Sequence, residues 1–437
     1  MEEKEEEEEE DSGVSPIPLS HRIEELLKFV LESSIEETLD VDLGLSKDYC
    51  FDLLNDDLAQ CELGGSSTCE GVPQYPLYKS VASALSSCIA SGFFANSSIN
   101  MIQPQEHDIL MKEKDRWNRL IQEKGSELAR MLEASNFELH VQEPFFSQLR
   151  VGEKTIEGRC AVGDYKRIEP GAMLVFNKCL VLEVQDVRRY ASFYEMLMTE
   201  GLGKVLPGVK TIEEGVQIYR NFYSEEKEKT SGVLAICVSK PVFQPYITLA
   251  SIISGLSYEG VGELLGLKHT VGTIHDALPP PRSVLLSSFQ MPYKTNVLLR
   301  RAKPLLGSDS GSILSVGARA LAKHVGRCSS QWWGGFDGND CNKNGIALRV
   351  IDHLINHCCW INIHIVQPYG AAIEMRVVEG YGARWSKDGM KLFSMIFHLS
   401  FLLNPVSLDI DARNNVCSFI GFLEPYMEDG FSRRWKH

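Results

Sequence analysis

One run constrains this chain more than any other: Gly152-Glu153-Lys154-Thr155-Ile156-Glu157-Gly158-Arg159. Lys154, Thr155, Glu157 and Arg159 fall within six residues, and glycines flank them. Such glycines let the backbone turn tightly and let a ligand approach closely. If residues 155–160 form a strand, alternation puts Thr155, Glu157 and Arg159 on one face, with Lys154 at the rim. The expected site offers a fixed guanidinium, a carboxylate, a hydroxyl and a mobile ammonium. Arg can hold a carboxylate or phosphate through two parallel bonds, while Lys supplies a point charge. The competing reading is a surface strand on which Glu157 and Arg159 pair in water, which is worth little.

Charge is unevenly spread around that run. Residues 1–142 carry 11 Lys and Arg against 30 Asp and Glu. Residues 143–240 carry 14 of each, and residues 241–437 carry 19 against 15. The acidity is thus N-terminal, and a polyanionic partner is neither demanded nor excluded by the rest. Residues 1–18 read as an acidic, disordered tail, since nine acids in the first eleven positions repel one another. Without a basic and apolar leader the expectation is an intracellular protein, in the nucleus or cytosol. The longest apolar run, 392–403, is too short to span a membrane. The twelve cysteines contain no C-x-x-C pair and are expected as buried thiols. His353, His357, Cys358 and Cys359 lack the second ligand pair of a zinc site, so neither metal nor cofactor is expected.

Periodicity divides the remainder. Residues 19–136 form a helical N-terminal region: a helix capped by Ser20, another over 77–90, and a third over 106–134 with a Trp117/Leu120/Leu128 core stripe. Residues 137–141, 178–187 and 233–238 read as strands. Residues 191–200 and 211–223 read as helices, the latter opened by a capping box of Thr211 and Glu214. A helical extension covers 241–278. Its run 256–274 has two readings: a buried helical pair, or a helix-turn-helix with Lys268, His269 and Thr273 in a major groove. Residues 279–312 read as a linker, with a basic clump at Arg300, Arg301 and Lys303. Residues 313–437 read as an α+β unit. There, Arg384-Trp385 and Arg433-Arg434-Trp435-Lys436 suit either base stacking or a cation–π lid.

The pattern Gly-x-Lys-x-x-Glu-x-Arg resembles the signature of the ASCH domain, a small β-barrel of the PUA-like group. The likeness continues through Glu143-Pro-Phe-Phe146, Glu169-Pro-Gly-Ala-Met-Leu-Val-Phe176, Arg189-Tyr-Ala-Ser-Phe193, Leu206-Pro-Gly-Val-Lys-Thr-Ile-Glu-Glu-Gly215 and Gly232-Val-Leu-Ala-Ile236. These stand in the family's order over roughly 137–240, and the whole chain looks like a long plant form. The fold expected is α+β: a PUA-like barrel flanked by a helical N-terminal lobe and a C-terminal α+β unit. In related plant proteins 380–389 and 419–425 resemble a matched hairpin. Residues 392–418 are therefore expected to be an insertion from altered transcript processing.

The resemblance implies nucleic-acid binding, above all of RNA, and a transcription-coactivator role. Lys154, Glu157, Arg159, Lys166, Arg167, Arg188 and Arg189 would line one cleft, its Lys and Arg holding phosphates, with a base stacked on Tyr165 or Phe146. A second reading is amide hydrolysis on an acetylated nucleoside such as N4-acetylcytidine, using Lys154, Thr155 and Glu157. Small ASCH enzymes of that kind place a threonine three residues after the lysine, where this chain has Glu157. A third reading is a scaffold that recruits transcription or RNA-processing proteins through the acidic tail and helical lobe.

Overall fold

Short runs rich in β-branched and apolar residues, such as Val233–Ser239 and Trp360–Val366, become the strands. The computed structural model describes residues 18–56, 71–94, 104–270, 272–291, 314–326, 331–367, 369–387 and 417–425. The acidic run up to residue 17, the linker residues 292–313, Arg433 to Lys436 and most of the expected insertion lie outside the described residues. The fold is α+β, with a curled half-barrel in the middle of the sequence, helices before it and a second sheet after it. Two units share the chain, one drawn from 1–44, 85–94 and 114–255, the other from 45–84, 95–113 and 256–437.

The first unit holds a five-stranded sheet of β1 (Ser135–Leu139), β2 (Ile156–Cys160), β3 (Met173–Phe176), β4 (Leu180–Tyr190) and β5 (Val233–Ser239), ordered β1-β3-β4-β5-β2. β1 runs parallel to β3, and the other pairings are antiparallel. β4 is the long central strand, with a register shift between Val184 and Asp186, a bulge of the kind that tightens local twist. The helices Phe193–Glu200, Leu202–Val205 and Ile212–Arg220 bury Phe193, Met196, Leu197, Val205 and Tyr219 against Ile156, Cys160, Val233 and Ala235 of β2 and β5. Thr211 and Glu214 form the capping box foreseen from the sequence. Gly158 lets helix and sheet approach closely: a Cβ there would lie 2.4 Å from the Tyr219 hydroxyl.

The N-terminal helix spans Leu19–Ile35 and buries Ile23, Leu26, Leu27 and Val30. Its N-cap is Pro18, and Ser20 lies inside. The proline cannot donate a backbone bond, which costs nothing at a helix start. The long helical stretch is interrupted by a π turn, Ile121–Gly125, before Ser126–Glu133 continues it.

The second unit holds an antiparallel sheet in the order β6 (Trp360–Val366), β7 (Gly370–Arg376), β8 (Gly382–Ser386) and β9 (Ser418–Leu423). Isoleucines 361, 363 and 373, Met375, Ala383 and Trp385 are buried. They share one face by alternation and cross-strand register. Trp385 donates to the Leu285 carbonyl from that core, while Arg384 points to the other face. The pair therefore neither stacks on itself nor presents an aromatic to a base. Residues 267–274 correct both expectations for the helical run. The helix Pro245–Leu264 ends, Gly266 takes a positive φ, and the chain then lies along β6 through bridges Leu267–Ile361 and Thr273–His364. The Val/Thr/Ile-rich run here favours extended backbone. Lys268 is buried against Glu263 rather than set on a recognition helix.

Candidate functional site

The run that opened the sequence reading becomes β2 and the loop before it. Gly152 caps the preceding helix, Phe145–Val151, at φ 84°, a region open to glycine. The chain then re-enters, and the Lys154 side chain turns inward. Its ammonium donates to the carbonyls of Ile156 (2.8 Å) and Val205, and lies 3.1 Å from Glu157 Oε2. An ammonium has three protons, and all three have acceptors here. Lys154 is 2% exposed, so the mobile ammonium expected at the rim is corrected to a buried brace. The residue precedes the strand, and alternation carries no information about how such a residue folds under. Burial pulls its pKa below the ordinary value, against the opposing pull of Glu157.

Glu157 is the hub. Its other oxygen forms an ion pair with Arg159, 2.9 Å from Nε. Arg159 also donates to the His140 carbonyl and stands over the Tyr165 ring, 5.7 Å from its centroid. Burial opposes the Arg159 charge, but Glu157 and then the Tyr223 and Tyr165 hydroxyls outweigh it and raise its pKa. The result is a fixed cation beside an aromatic ring at the end of β2. Behind it, burial first and Glu157 second hold the Tyr219 hydroxyl well above its usual value, so it stays protonated.

Cross-strand register sorts the remaining cations. Arg159 and Arg189 both stand opposite Leu234, so they share a sheet face two strands apart, roughly 10 Å by strand spacing. Arg188 stands opposite Ala235 on the helix-covered face. There it reaches Glu200 (2.9 Å), Asp186 (3.0 Å) and the Cys237 sulfur (2.8 Å). Arg188 and Arg189 are therefore parted, as adjacent strand residues must be. Tyr165, Lys166 and Arg167 lie on the 3-10 turn Gly163–Arg167 that follows β2, with Lys166 and Arg167 exposed and Arg167 paired to Asp164 at 3.0 Å. Among the described residues, Lys166 and Arg189 have no acidic partner. Phe146 is corrected: it is 6% exposed and packs edge-on against Phe29 at 6.3 Å, so no base can stack on it. Thr155 joins the sheet through its backbone, accepting from Val238.

Sequence reading missed a second charged constellation, in the C-terminal sheet. Glu374 on β7 is 4% exposed and accepts from Arg376 Nε (2.7 Å) and from Arg384 Nε and Nη2 (3.0 and 2.5 Å), with His364 Nε2 at 3.4 Å. Burial would raise its pKa, but His364 and the two guanidiniums beside it hold it down at about 2. Beside it in register, the fully buried Asn362 is fixed by the Thr270 (2.6 Å) and Thr273 (2.9 Å) hydroxyls. The signal was the alternation in Glu374-Met-Arg376, opposite Arg384, which only the strand register assembles.

Comparison with known proteins decides what the first unit is. Residues 139–242 match the family model of the ASCH domain. The chain belongs to the ASCH-domain family. It is 44% identical to hypothetical protein PH0355, known from a crystal structure, and 45% identical to protein PF0455 from Pyrococcus furiosus, known from a solution NMR structure. Each match covers 24% of this chain and 98% of the other, with TM-scores of 0.24 and 0.23. Residues 307–394 match a second family model, the CdiA C-terminal tRNase toxin domain. The comparison with curated proteins found no match. The ASCH domain is a PUA-like fold of the RNA-binding kind, and no helix among the described residues is long and apolar enough to cross a membrane.

Proposed function

We propose that this protein is an RNA-binding regulatory protein, of the transcription-coactivator kind, that holds single-stranded or structured RNA on the ASCH sheet face bearing Arg159 and Arg189. The observation that carries the reading is Arg159, fixed by Glu157 and seated over Tyr165, with Arg189 exposed on the same face and without an acidic partner among the described residues. A clamped guanidinium beside a half-buried aromatic offers a phosphate fork and a stacking surface in one place. Lys166 and Arg167 on the neighbouring turn add phosphate contacts, whereas Lys154 supports the site from below and touches no ligand. Similarity of the C-terminal segment to a toxin domain named for cleaving tRNA supports RNA over DNA as the ligand class. The acidic N-terminal run suits recruitment of transcription or RNA-processing proteins in the nucleus or cytosol.

Hydrolysis of N4-acetylcytidine draws less support. The Lys154 ammonium has its three protons engaged, and the position three residues on is Glu157, already bound to Arg159.

Titration of a labelled single-stranded RNA with the full chain at low and physiological salt tests the reading. Four phosphate contacts, at about 0.7 per contact, give a slope of log K against log salt near −3. Binding that is absent, or indifferent to salt, overturns it.

A further inference from the structure

The polar face of the C-terminal sheet carries more positive charge than its own carboxylate can absorb. Two guanidiniums and an imidazole, from three adjacent strands, converge on the single carboxylate of Glu374. Both carboxylate oxygens are engaged by these groups. Arg376 spends Nη1 on the carbonyls of Gly380 (2.7 Å) and Glu424 (3.0 Å), and Arg384 spends Nε and Nη2 on Glu374. Arg376 Nη2 and Arg384 Nη1 make no hydrogen bond among the described residues. The side chains of His364, Arg376 and Arg384 are 19%, 17% and 16% exposed, against 5% for Glu374. The carboxylate is therefore the floor and the cations are the rim.

We propose that this rim is a second RNA-contacting site, which takes a backbone phosphodiester between Arg384 and Arg376 with His364 against the same group. That the phosphodiester belongs to RNA rests on the function proposed above; the anion site itself rests on the geometry alone. Glu374 positions both guanidiniums through their Nε sides, so planar donors remain for a tetrahedral anion. The floor is rigid. Asn362 is pinned by two threonine hydroxyls, and the opposite sheet face is the unit's apolar core. A site mounted on packed strands keeps its geometry better than one on loops.

The test uses the full chain and a labelled 12-nucleotide poly(U) RNA. Arg384→Gln weakens binding roughly tenfold, as loss of a charge-assisted contact does, and lowers the salt slope by about 0.7. Arg384→Lys restores the charge without the fork and recovers only part of the affinity. In wild-type protein, ring resonances of His364 move on addition of the RNA, which reports on the site even where the variant fails to fold. The same His364 movement in an Arg189→Gln background separates this site from the ASCH face: it persists there even if that face binds nothing. His364 resonances that stay fixed, or that move with inorganic phosphate and not with RNA, overturn the proposal, as does unchanged affinity in folded Arg384→Gln.

Discussion

Two of the buried glutamates that hold cations do so to opposite ends. Glu157 sits between Lys154 and Arg159 in the ASCH sheet, and Glu374 sits among Arg376, Arg384 and His364 in the C-terminal sheet. Around Glu157 the backbone finishes the work: carbonyls of Ile156, Val205 and His140 absorb cation donors, and Lys154 is sealed. Around Glu374 the cations stand part-way in water and keep donors in hand. Like composition thus yields a sealed brace at Lys154 in one place and only a rim in the other. What separates them is Lys154, whose side chain is sealed at 1% exposure, whereas every cation at Glu374 keeps 16% or more.

That contrast can be broken most directly by removing each carboxylate. Glu157→Ala leaves Lys154 buried without its counter-charge and is expected to cost about 3–5 kcal/mol, read from urea unfolding of the full chain. Glu374→Ala leaves arginines that can turn toward water, so its cost lies at the low end of that range, about 3 kcal/mol or less. Equal losses would erase the distinction.

Acid sharpens the same comparison. The folded pKa of Glu374 lies at about 2, below its ordinary 4.5. The unfolded chain therefore takes up the proton first as pH falls. The stabilisation is complete above pH 4.5 and disappears toward pH 2, and it amounts to about 3 kcal/mol. Glu374→Gln should remove that acid limb from a stability–pH profile. A profile unchanged by the substitution would show that the carboxylate is not held by these partners.

Behind Glu157, Gly158→Ala pushes a methyl into the Tyr219 hydroxyl and Met196. The expected loss is about 1–3 kcal/mol by overpacking, and Tyr219→Phe should return only part of it, since the ring carbon also lies within 2.9 Å. The smallest effect concerns the ligand. Arg189→Gln should weaken RNA binding about twofold to fivefold and lower the salt slope by about 0.7, while Arg188→Gln, on the other sheet face, leaves affinity unchanged. Equal effects of the two would mean that RNA does not follow the sheet faces.

Much of this was readable from the residues. Glu157 and Arg159 share a face because a strand alternates, and Thr211 with Glu214 announces a helix start through two local bonds. Such signals are complete within a few residues. Lys154 was misplaced because a side chain just outside a strand is governed by the loop that folds over it, here through the Val205 carbonyl 51 residues on. Phe146 looked available because sequence cannot reveal that Phe29 covers it. The run 256–274 suggested helices by its apolar spacing, but Gly266 and the neighbouring edge of β6 decided otherwise. The Glu374 constellation needed the register of three strands, which is a property of pairing and not of any one segment.

The pairing of β8 with β9 has its own consequence. Ser386 and Ser418 are partners in the ladder although residues 387–417 separate them in sequence. Closing a longer connection adds an entropic penalty that grows only with the logarithm of its length. The ladder is therefore indifferent to how much chain is threaded between its two halves. Trimming that connection to a tight turn, or splicing a reporter protein into it, should leave the surrounding sheet assembled, which makes this junction the natural handle for tagging the molecule.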